Sequence, residues 1–428
     1  MTATRIGRVA TLTVAALVWV LAASALWRTK VPADLHLPRL DPQAVFGAAA
    51  VRAGVRYERF LDYGWLLGTI TKVIVLVVMV RRGPRLARSL GLGRVNAGVI
   101  TGVVLMTVVW AVSLPFGIAN GWWDRRHGIS KESWGAIVFS PWQGLLSGTF
   151  TTVIVLAIVL LLAKRFARNW WIGAAVILLA LGVLQQFAAP YAMRIGTHPI
   201  RSPQLAAAVE RLESREHAGH PAVRVQQVHD QTTAANAFAI GIGPSSSVFI
   251  WDTMLDGRFT PTEVSFVLGH ELAHIARLHL WKGIAWGALI GIPLLAAIAF
   301  LTGRRGGLRD PGNVPLAFLT LTVLLLALSP FTNVVSRRYE AEADWVGLRG
   351  THDPKGAEGL FKGFVRVDLA DPSPPGWVHH FLDNHPTLLT RVEQVEAFER
   401  LSRLKSHFHR VSKSALFRAH FDDFAWSP

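Results

Sequence analysis

Seven long apolar stretches constrain the fold of this 428-residue chain more than any other feature of its sequence. A helix needs roughly 17–25 mostly apolar residues to cross a bilayer, and a soluble core rarely contains several such runs. The stretches therefore predict an all-α-dominated, multi-pass membrane protein with about seven transmembrane helices. We place the spans at about residues 6–27, 64–80, 97–118, 146–163, 171–192, 283–302 and 315–334.

The first apolar stretch also has features of a signal peptide, because Arg5 and Arg8 precede it. Its apolar run is longer than the ~7–15 residues that are usual in a signal peptide, and further spans follow it. We therefore interpret this stretch as a membrane anchor.

The composition agrees with a membrane protein and limits the metal chemistry that the chain can support. Hydrophobic residues make up 51% of the chain and charged residues only 17%, whereas a soluble domain has about 25% charged residues. Cysteine is absent, so only His, Asp or Glu side chains can hold a transition metal. The net charge of +16 is also typical of nucleic-acid-binding proteins. Most basic residues lie in short loops between apolar runs, however, so we expect a lipid bilayer and no nucleic acid among the partners.

The polar chemistry is concentrated in the C-terminal half of the chain. We predict an N-terminal transmembrane region with five spans over residues 1–192, followed by a peptidase domain over residues 193–428. The last two spans interrupt this domain, because polar regions lie on both sides of them, at about 193–282 and 335–428.

The motif GHELAHIARLH supplies the most specific functional signal. Thr260 and Pro261 are typical of a helix start, which places His270 and His274 one turn apart on the same helical face. Two histidines at this spacing bind one zinc ion, and the intervening Glu271 then lies near the open coordination position. There a carboxylate can accept a proton from water, which is the chemistry of a zinc peptidase.

A catalytic zinc site needs a third protein ligand, and the stretch NVVSRRYEAEADWVGL offers one. This stretch reads as a helix in which Glu340 and Asp344 share a face, while Glu342 points away from it. We predict that Glu340 completes a His₂Glu set and that Asp344 orients a ligand imidazole. His279 is five residues beyond His274 and is expected to point elsewhere on the helix.

The chain resembles the type 1 CAAX prenyl protease family, which are integral-membrane zinc metalloproteases with seven spans. The resemblance extends from about residue 57 to 400. Beside H-E-x-x-H, the family motif N-x-x-S-R-x-x-E-x-x-x-D and the signature H-P-[TP]-x-x-x-R are matched by Asn333, Ser336, Arg337, Glu340, Asp344, His385, Pro386 and Arg391. The resemblance implies one zinc ion per chain, with His270, His274 and Glu340 as ligands and Asp344 as their supporting carboxylate. It further implies that His385 stabilises the tetrahedral intermediate and that Arg391 lies near the active site.

A second match concerns substrate binding. The stretch NAFAIGIGPSSSVFIWDTML resembles a family segment that contains an edge strand, and an exposed strand edge can pair with an extended peptide. We assign this role to Asn236, Ala237, Phe238, Val248 and Phe249. The expected partner is a peptide or protein substrate, membrane-associated or lipidated.

Several alternatives to a prenyl protease stay open. The loop SLPFGIANGWWDRRHGIS favours the seven-span branch over the shorter heat-shock membrane proteases, which act in membrane-protein quality control. Asn384 stands where the family commonly has Ser, which weakens any inference about prenyl-peptide selectivity. A transporter is disfavoured because the spans are almost free of charge, with Lys72 as the main exception. A non-catalytic scaffold would be expected to lose Glu271 or a ligand.

Two arguments about orientation in the cell membrane disagree. The basic residues of three short loops lie on the side opposite the catalytic regions, and the positive-inside rule then puts the peptidase outside the cytoplasm. The catalytic side is also rich in Arg and Lys, and the resemblance implies a cytosol-facing active site, which we adopt. The basic C-terminal stretch at residues 400–424 is compatible with a membrane-surface segment and equally with a solvated helix.

Overall fold

The computed structural model describes residues 3–404, with side chains from residue 10 onward. Within these residues, the long helices of the membrane region are, in chain order, α1 (Ala3–Leu26), α3 (Ala48–Ser89), α4 (Arg94–Arg126), α5 (Trp134–Phe166), α6 (Trp170–Met193), α9 (His279–Gly303) and α10 (Val314–Thr351). Among the described residues, five helical stretches are long and apolar enough to cross a membrane. One of them, Trp134–Met193, contains both α5 and α6, and Ala10–Leu26 is a shorter apolar helix. The prediction of a mostly helical, multi-pass membrane protein is confirmed.

The predicted spans each fall on one of these helices, but several helices are much longer than the bilayer requires. Helix α3 has 42 residues and α10 has 38, so both continue beyond the predicted spans. The segment 113–126, expected to be a loop, instead continues α4 through Pro115. The stretch around Glu340 is helical as predicted, because it is the last part of α10.

The remaining elements form a compact unit beside the ends of these helices. Its helices are α2 (Pro42–Phe46), α7 (Pro203–Glu216), α8 (Pro261–Ala276), α11 (Pro354–Val367), α12 (Gly376–Phe381) and α13, which begins at residue 388 and is described to residue 404. Its strands are β1 (His198–Pro199), β2 (Ala222–Gln226), β3 (Ala237–Ile240) and β4 (Ser247–Trp251). The division of the chain into residues 1–192 and 193–428 stays a prediction.

The four strands form one sheet in the order β1-β2-β4-β3, in which β2 and β4 are parallel and the other pairs antiparallel. Strand β4 was predicted from its composition, but it lies in the middle of the sheet. Val248 pairs with Val223 on one side and with Ala239 on the other, and both Val248 and Phe249 are 0% exposed. The assignment of Val248 and Phe249 to substrate binding is therefore wrong, because their backbone groups are already paired. The edge strand next to β4 is β3.

Helix α8 lies at the centre of this unit and begins as the sequence predicts. Thr260 accepts a hydrogen bond from the Glu263 backbone N–H, and Glu263 accepts one from the Thr260 backbone N–H, which forms a capping box. The apolar side of α8 packs in a core that also includes Ile250, Leu348 and Phe361. Packing on both sides leaves His270 and Glu271 of the motif buried and the His274 side chain 15% exposed, so their partners must come from neighbouring elements.

Candidate active site

Three side chains from two helices meet at one point. His270 and His274 from α8 and Glu340 from α10 each offer a ligand atom, and these atoms lie within 4.8 Å of one another. The Nε2 atoms of the two histidines are 3.1 Å apart, and Glu340 oxygens lie 3.2 Å and 3.5 Å from them. Glu340 Oε2 is buried without a hydrogen-bond partner among the described residues. Two imidazoles and one carboxylate in this arrangement match the donor set of a catalytic zinc site.

His270 is held from behind by a carboxylate. Its Nδ1 lies 2.8 Å from Asp344 Oδ1, and Asp344 is almost fully buried. Arg391 donates to both oxygens of that carboxylate, from Nε at 2.8 Å and from Nη2 at 2.6 Å. A hydrogen bond from Nδ1–H fixes the tautomer of His270 and leaves the Nε2 lone pair directed toward Glu340 and His274.

Glu271 lies between the ligand group and the sheet. Its side chain is buried, and the backbone N–H of Ala239 in β3 donates to its carboxylate. Burial raises the pKa of Glu271 to about 7. A carboxyl group with a pKa near neutrality can both accept and return a proton, and this one is in direct contact with the edge strand.

His385 lies at the solvent side of the ligand group. Its Nε2 is 3.2 Å from Glu340 Oε2, its Nδ1 is 2.7 Å from Asn384 Oδ1, and about half of its side chain is exposed. Two residues of α10 hold the preceding segment. Asn333 donates to the carbonyl of His380, and Arg337 Nη1 donates to the carbonyls of His379 and Asp383.

His279 and Glu342 are in contact with the site, although the helical spacing predicted otherwise. Helix α8 ends at Ala276, and Leu278 adopts a left-handed conformation with φ 57° before α9 begins. This break turns His279 back, so that its Nδ1 lies 3.0 Å from His274 Nδ1 and its Nε2 lies 3.0 Å from Glu342 Oε2. The two residues between α8 and α9, Arg277 and Leu278, are neither glycine nor proline, so the sequence carries no local signal for this break.

A large cavity extends from the ligand group into the membrane region. Its volume is about 1120 Å³, and residues of α5, α6, α9 and α10 line it. His274, Glu340 and Ala239 form part of its wall, while most of the other lining residues are apolar. The site is thus open toward an apolar space as well as toward solvent.

The structure brings together most of the residues that the sequence singled out. His270, Glu271, His274, Glu340, Asp344, His385 and Arg391 surround one point, and the edge strand with Ala237 and Phe238 follows directly from Asn236. Val248 and Phe249 lie in the sheet behind that edge. The catalytic and binding roles of the other residues stay predictions.

Comparison with known proteins identifies the region that holds the site. Residues 199–399 match peptidase family M48. An uncharacterized metalloprotease of Bacillus subtilis strain 168, YhfN, is 27% identical over 365 residues, which cover 81% of this chain and 82% of the relative. The protease HtpX of Legionella pneumophila is 25% identical over 210 residues, which cover 43% of this chain and 73% of the relative.

A solved structure agrees with the fold over nearly the whole chain. The crystal structure of S. mikatae Ste24p superimposes with a TM-score of 0.66 at 18% identity and covers 90% of this chain and 96% of its own. Family M48 metalloproteases depend on zinc in general, and the group of His270, His274 and Glu340 can hold a metal ion. The likeness to the type 1 CAAX prenyl protease family is confirmed. Residues 199–399 thus match peptidase family M48, and the chain is a multi-pass membrane metalloprotease with a Ste24p-like fold.

Proposed function

We propose that the chain is a zinc metalloendopeptidase with one zinc ion held by His270, His274 and Glu340. The observation that supports this most strongly is the convergence of the three ligand atoms within 4.8 Å, next to the buried carboxylate of Glu271. When bound, zinc polarises water and the carbonyl of the scissile peptide bond. Glu271 takes a proton from the water that attacks this carbonyl and returns it to the leaving amine.

His385 and Arg391 contribute in different ways to this reaction. His385 stabilises the oxygen of the tetrahedral intermediate by a hydrogen bond from Nε2 of its protonated ring, because Asn384 Oδ1 already accepts the hydrogen of Nδ1. Arg391 acts through Asp344, which accepts two of its hydrogen bonds, and its Nη2 also lies 3.4 Å from His270 Nδ1. Asp344 and Arg391 hold His270 in the orientation that the metal requires.

The substrate binds as an added strand along β3. Strand β3 pairs with β4 on one side, and its other edge is open to pairing. An extended peptide that pairs with the outward-facing backbone of Ala237 passes beside Glu271, because the Ala239 N–H on the same edge contacts that carboxylate. Asn236, whose carbonyl accepts from the Trp251 N–H, fixes the start of this strand.

The substrate class is a peptide with an apolar, membrane-associated or lipidated part. The cavity of about 1120 Å³ reaches from His274 and Glu340 into the membrane helices, so an apolar group of the substrate has a place beside the scissile bond. The resemblance to CAAX prenyl protease 1 supports this class. The match to HtpX supports a second candidate, a quality-control protease that cuts misfolded membrane proteins.

The protein resides in the cell membrane with its catalytic side toward the cytoplasm. The family resemblance supports this orientation, while the arginine-dense loops on the far side argue against it. Membrane insertion itself agrees with the five apolar helical stretches.

A substrate-trapping experiment tests the proposed function. Glu271→Gln is expressed in parallel with the unaltered protein and with Glu358→Gln, whose side chain makes only an exposed i,i+4 pair with Lys362. We expect intact substrates to co-purify with Glu271→Gln and to be cleaved by the other two proteins, as read by mass spectrometry. Lipidated peptides among them support the prenyl-protease-like function, and unmodified membrane proteins support quality control. Equal sets of intact proteins from all three preparations would contradict both.

A further inference from the structure

We propose that His279 and Glu342 are positioning residues that orient His274 for metal binding. The proposal rests on the zinc centre proposed above. His279 Nδ1 lies 3.0 Å from His274 Nδ1, and His279 Nε2 lies 3.0 Å from Glu342 Oε2. His279 is 5% exposed and Glu342 is 0% exposed, so water does not replace these bonds. Buried polar groups that bond to a ligand imidazole fix its ring and its tautomer.

The direction of each hydrogen bond follows from the geometry. His274 turns Nε2 toward His270 Nε2 and Glu340, so this nitrogen must present its lone pair to a metal and Nδ1 must carry the hydrogen. Nδ1–H then donates to His279 Nδ1, which leaves the hydrogen of His279 on Nε2. That hydrogen is donated to the Glu342 carboxylate. The chain His274–His279–Glu342 therefore admits one arrangement of hydrogens when a metal is bound.

Glu342 is suited to end this chain because it is itself anchored as an anion. Arg277 donates from Nε to Oε1 at 2.8 Å, the Lys282 ammonium lies 3.5 Å from Oε2, and the Lys30 backbone N–H donates to Oε1 at 2.9 Å. A buried carboxylate with such partners keeps its charge and its place. The ring of His279 also stacks on Tyr339, with centroids 4.7 Å apart.

The two ligand histidines thus have comparable supports. His270 bonds directly to Asp344, which two hydrogen bonds from Arg391 fix, whereas His274 reaches Glu342 and Arg277 through an intervening imidazole. A carboxylate without a structural task would not be expected in a fully buried position. One turn of α10, from Glu340 to Asp344, thereby supplies Glu340 as a ligand and Asp344 and Glu342 as supports of the two histidines.

The anchor of Glu342 also includes the segment that follows α1. Lys30 donates to Glu342, and the hydroxyl of Tyr339 donates to the carbonyl of Leu26 at 2.8 Å. Leu26 and Lys30 lie outside the matched range 199–399. The N-terminal part of the chain is therefore in contact with the support of His274.

Zinc affinity of the purified full-length protein tests the proposal. The zinc dissociation constant is measured by competition with a chelator for the unaltered protein, His279→Leu, His279→Gln and the control His229→Leu. His229 is an exposed histidine paired with Asp252, away from the ligand group. We expect His279→Leu to bind zinc about 10–100-fold more weakly, the usual cost of losing such a support. His279→Gln should be nearly normal, because an amide can accept from His274 and donate to Glu342.

A spectroscopic readout separates positioning from general loss of structure. The visible absorption of the cobalt-loaded protein reports the ligand geometry, and it should change in His279→Leu and not in His229→Leu. If His279→Leu fails to fold, Glu342→Gln decides, since it keeps the side-chain volume and removes the charge, and about 10-fold weaker zinc binding is expected.

The outcomes distinguish this proposal from the zinc centre itself. If His279→Leu folds, unchanged zinc affinity and an unchanged cobalt spectrum would overturn the positioning role alone. If His279→Leu does not fold, unchanged zinc affinity of Glu342→Gln would do the same. The proposed centre itself requires that the unaltered protein binds one zinc ion and that His270→Ala loses it. If either result fails, the proposed centre is overturned instead.

Discussion

Arg337 donates a hydrogen bond of 2.6 Å to the carbonyl oxygen of Asp383, two residues before His385. The same Nη1 atom donates to the carbonyl of His379 at 2.7 Å, so one guanidinium fixes both ends of the turn that precedes His385. A residue of the long helix α10 thereby sets the position of a side chain that comes from a distant part of the chain.

Replacing Arg337 should reduce catalysis and leave the metal in place. Arg337→Ala removes both bonds to the segment before His385, so we expect kcat to fall by about 10-fold or more, since a 1 Å misplacement costs up to ~10²-fold. Zinc content should stay near one ion per chain, because none of the three proposed ligands is touched. Arg366→Ala, which removes an exposed arginine of α11, serves as the control. A loss of zinc equal to the loss of activity would contradict this account of Arg337.

The proposed third ligand can be separated from other carboxylates by metal content. Glu340→Ala should lower zinc occupancy and abolish cleavage, because only His270 and His274 remain in the ligand group. Glu358→Ala removes an exposed carboxylate of α11 and should retain one zinc ion. Elemental analysis of both purified variants provides the measurement. Full occupancy in Glu340→Ala would exclude this residue as a ligand.

Glu216 should make the stability of the protein depend on pH. Both of its carboxylate oxygens are buried without a hydrogen-bond partner among the described residues, and Oε1 fills the space beside Gly350. Burial raises the pKa of Glu216 from 4.5 to about 8. The folded state therefore binds a proton that the unfolded state releases, so the free energy of unfolding falls as the pH rises from about 4.5 to about 8.

Glu216→Gln removes this ionisation and should flatten the pH dependence. At pH above about 8 the variant should unfold at a higher temperature than the unaltered protein, with an upper limit of ~1.4 kcal/mol per unit of pKa difference. Near pH 4 the two proteins should differ little. Thermal unfolding midpoints across this range, with the exposed Glu210→Gln of the same helix as control, provide the test. Midpoint differences that do not vary with pH would argue against a buried, protonated Glu216.

Membrane orientation can be measured with reporters fused after Pro428, the last residue of the sequence. With a cytoplasmic catalytic side, green fluorescent protein should fluoresce and alkaline phosphatase should be inactive. The basic residues that argue against this orientation lie in the short loops on the side opposite the catalytic regions: Arg81, Arg82, Arg85, Arg88, Arg94, Lys164, Arg165, Arg168, Arg304, Arg305 and Arg309. High phosphatase activity would mean that these short, arginine-rich loops determine the topology.

The features that the sequence predicts correctly are those that depend on local spacing. Bilayer thickness requires long apolar runs, so the membrane helices could be found from composition alone. Helical periodicity places His270 and His274 on one face of α8, and Glu340 and Asp344 on one face of α10. The contacts between these residues in the structure agree with that spacing.

The features that the sequence did not predict depend on the path of the backbone between elements. Strand order is set by long-range pairing, so Val248 and Phe249 were assigned to an edge that belongs to β3. The expected orientation of His279 assumed one continuous helix, and the left-handed Leu278 between α8 and α9 invalidates that assumption. Contacts between residues more than 300 positions apart, such as Lys30 with Glu342, leave no local pattern.

The central claim, that Glu271 is the proton acceptor of a zinc peptidase, is tested most directly by zinc content and cleavage rate in the same preparation of Glu271→Gln. The glutamine keeps the shape of the side chain and an oxygen that can accept from the Ala239 N–H, while the three proposed ligands are unchanged. We predict one zinc ion per chain, as in the unaltered protein, and a cleavage rate lower by about 10²–10⁴-fold. Near-normal cleavage by zinc-loaded Glu271→Gln would contradict the account.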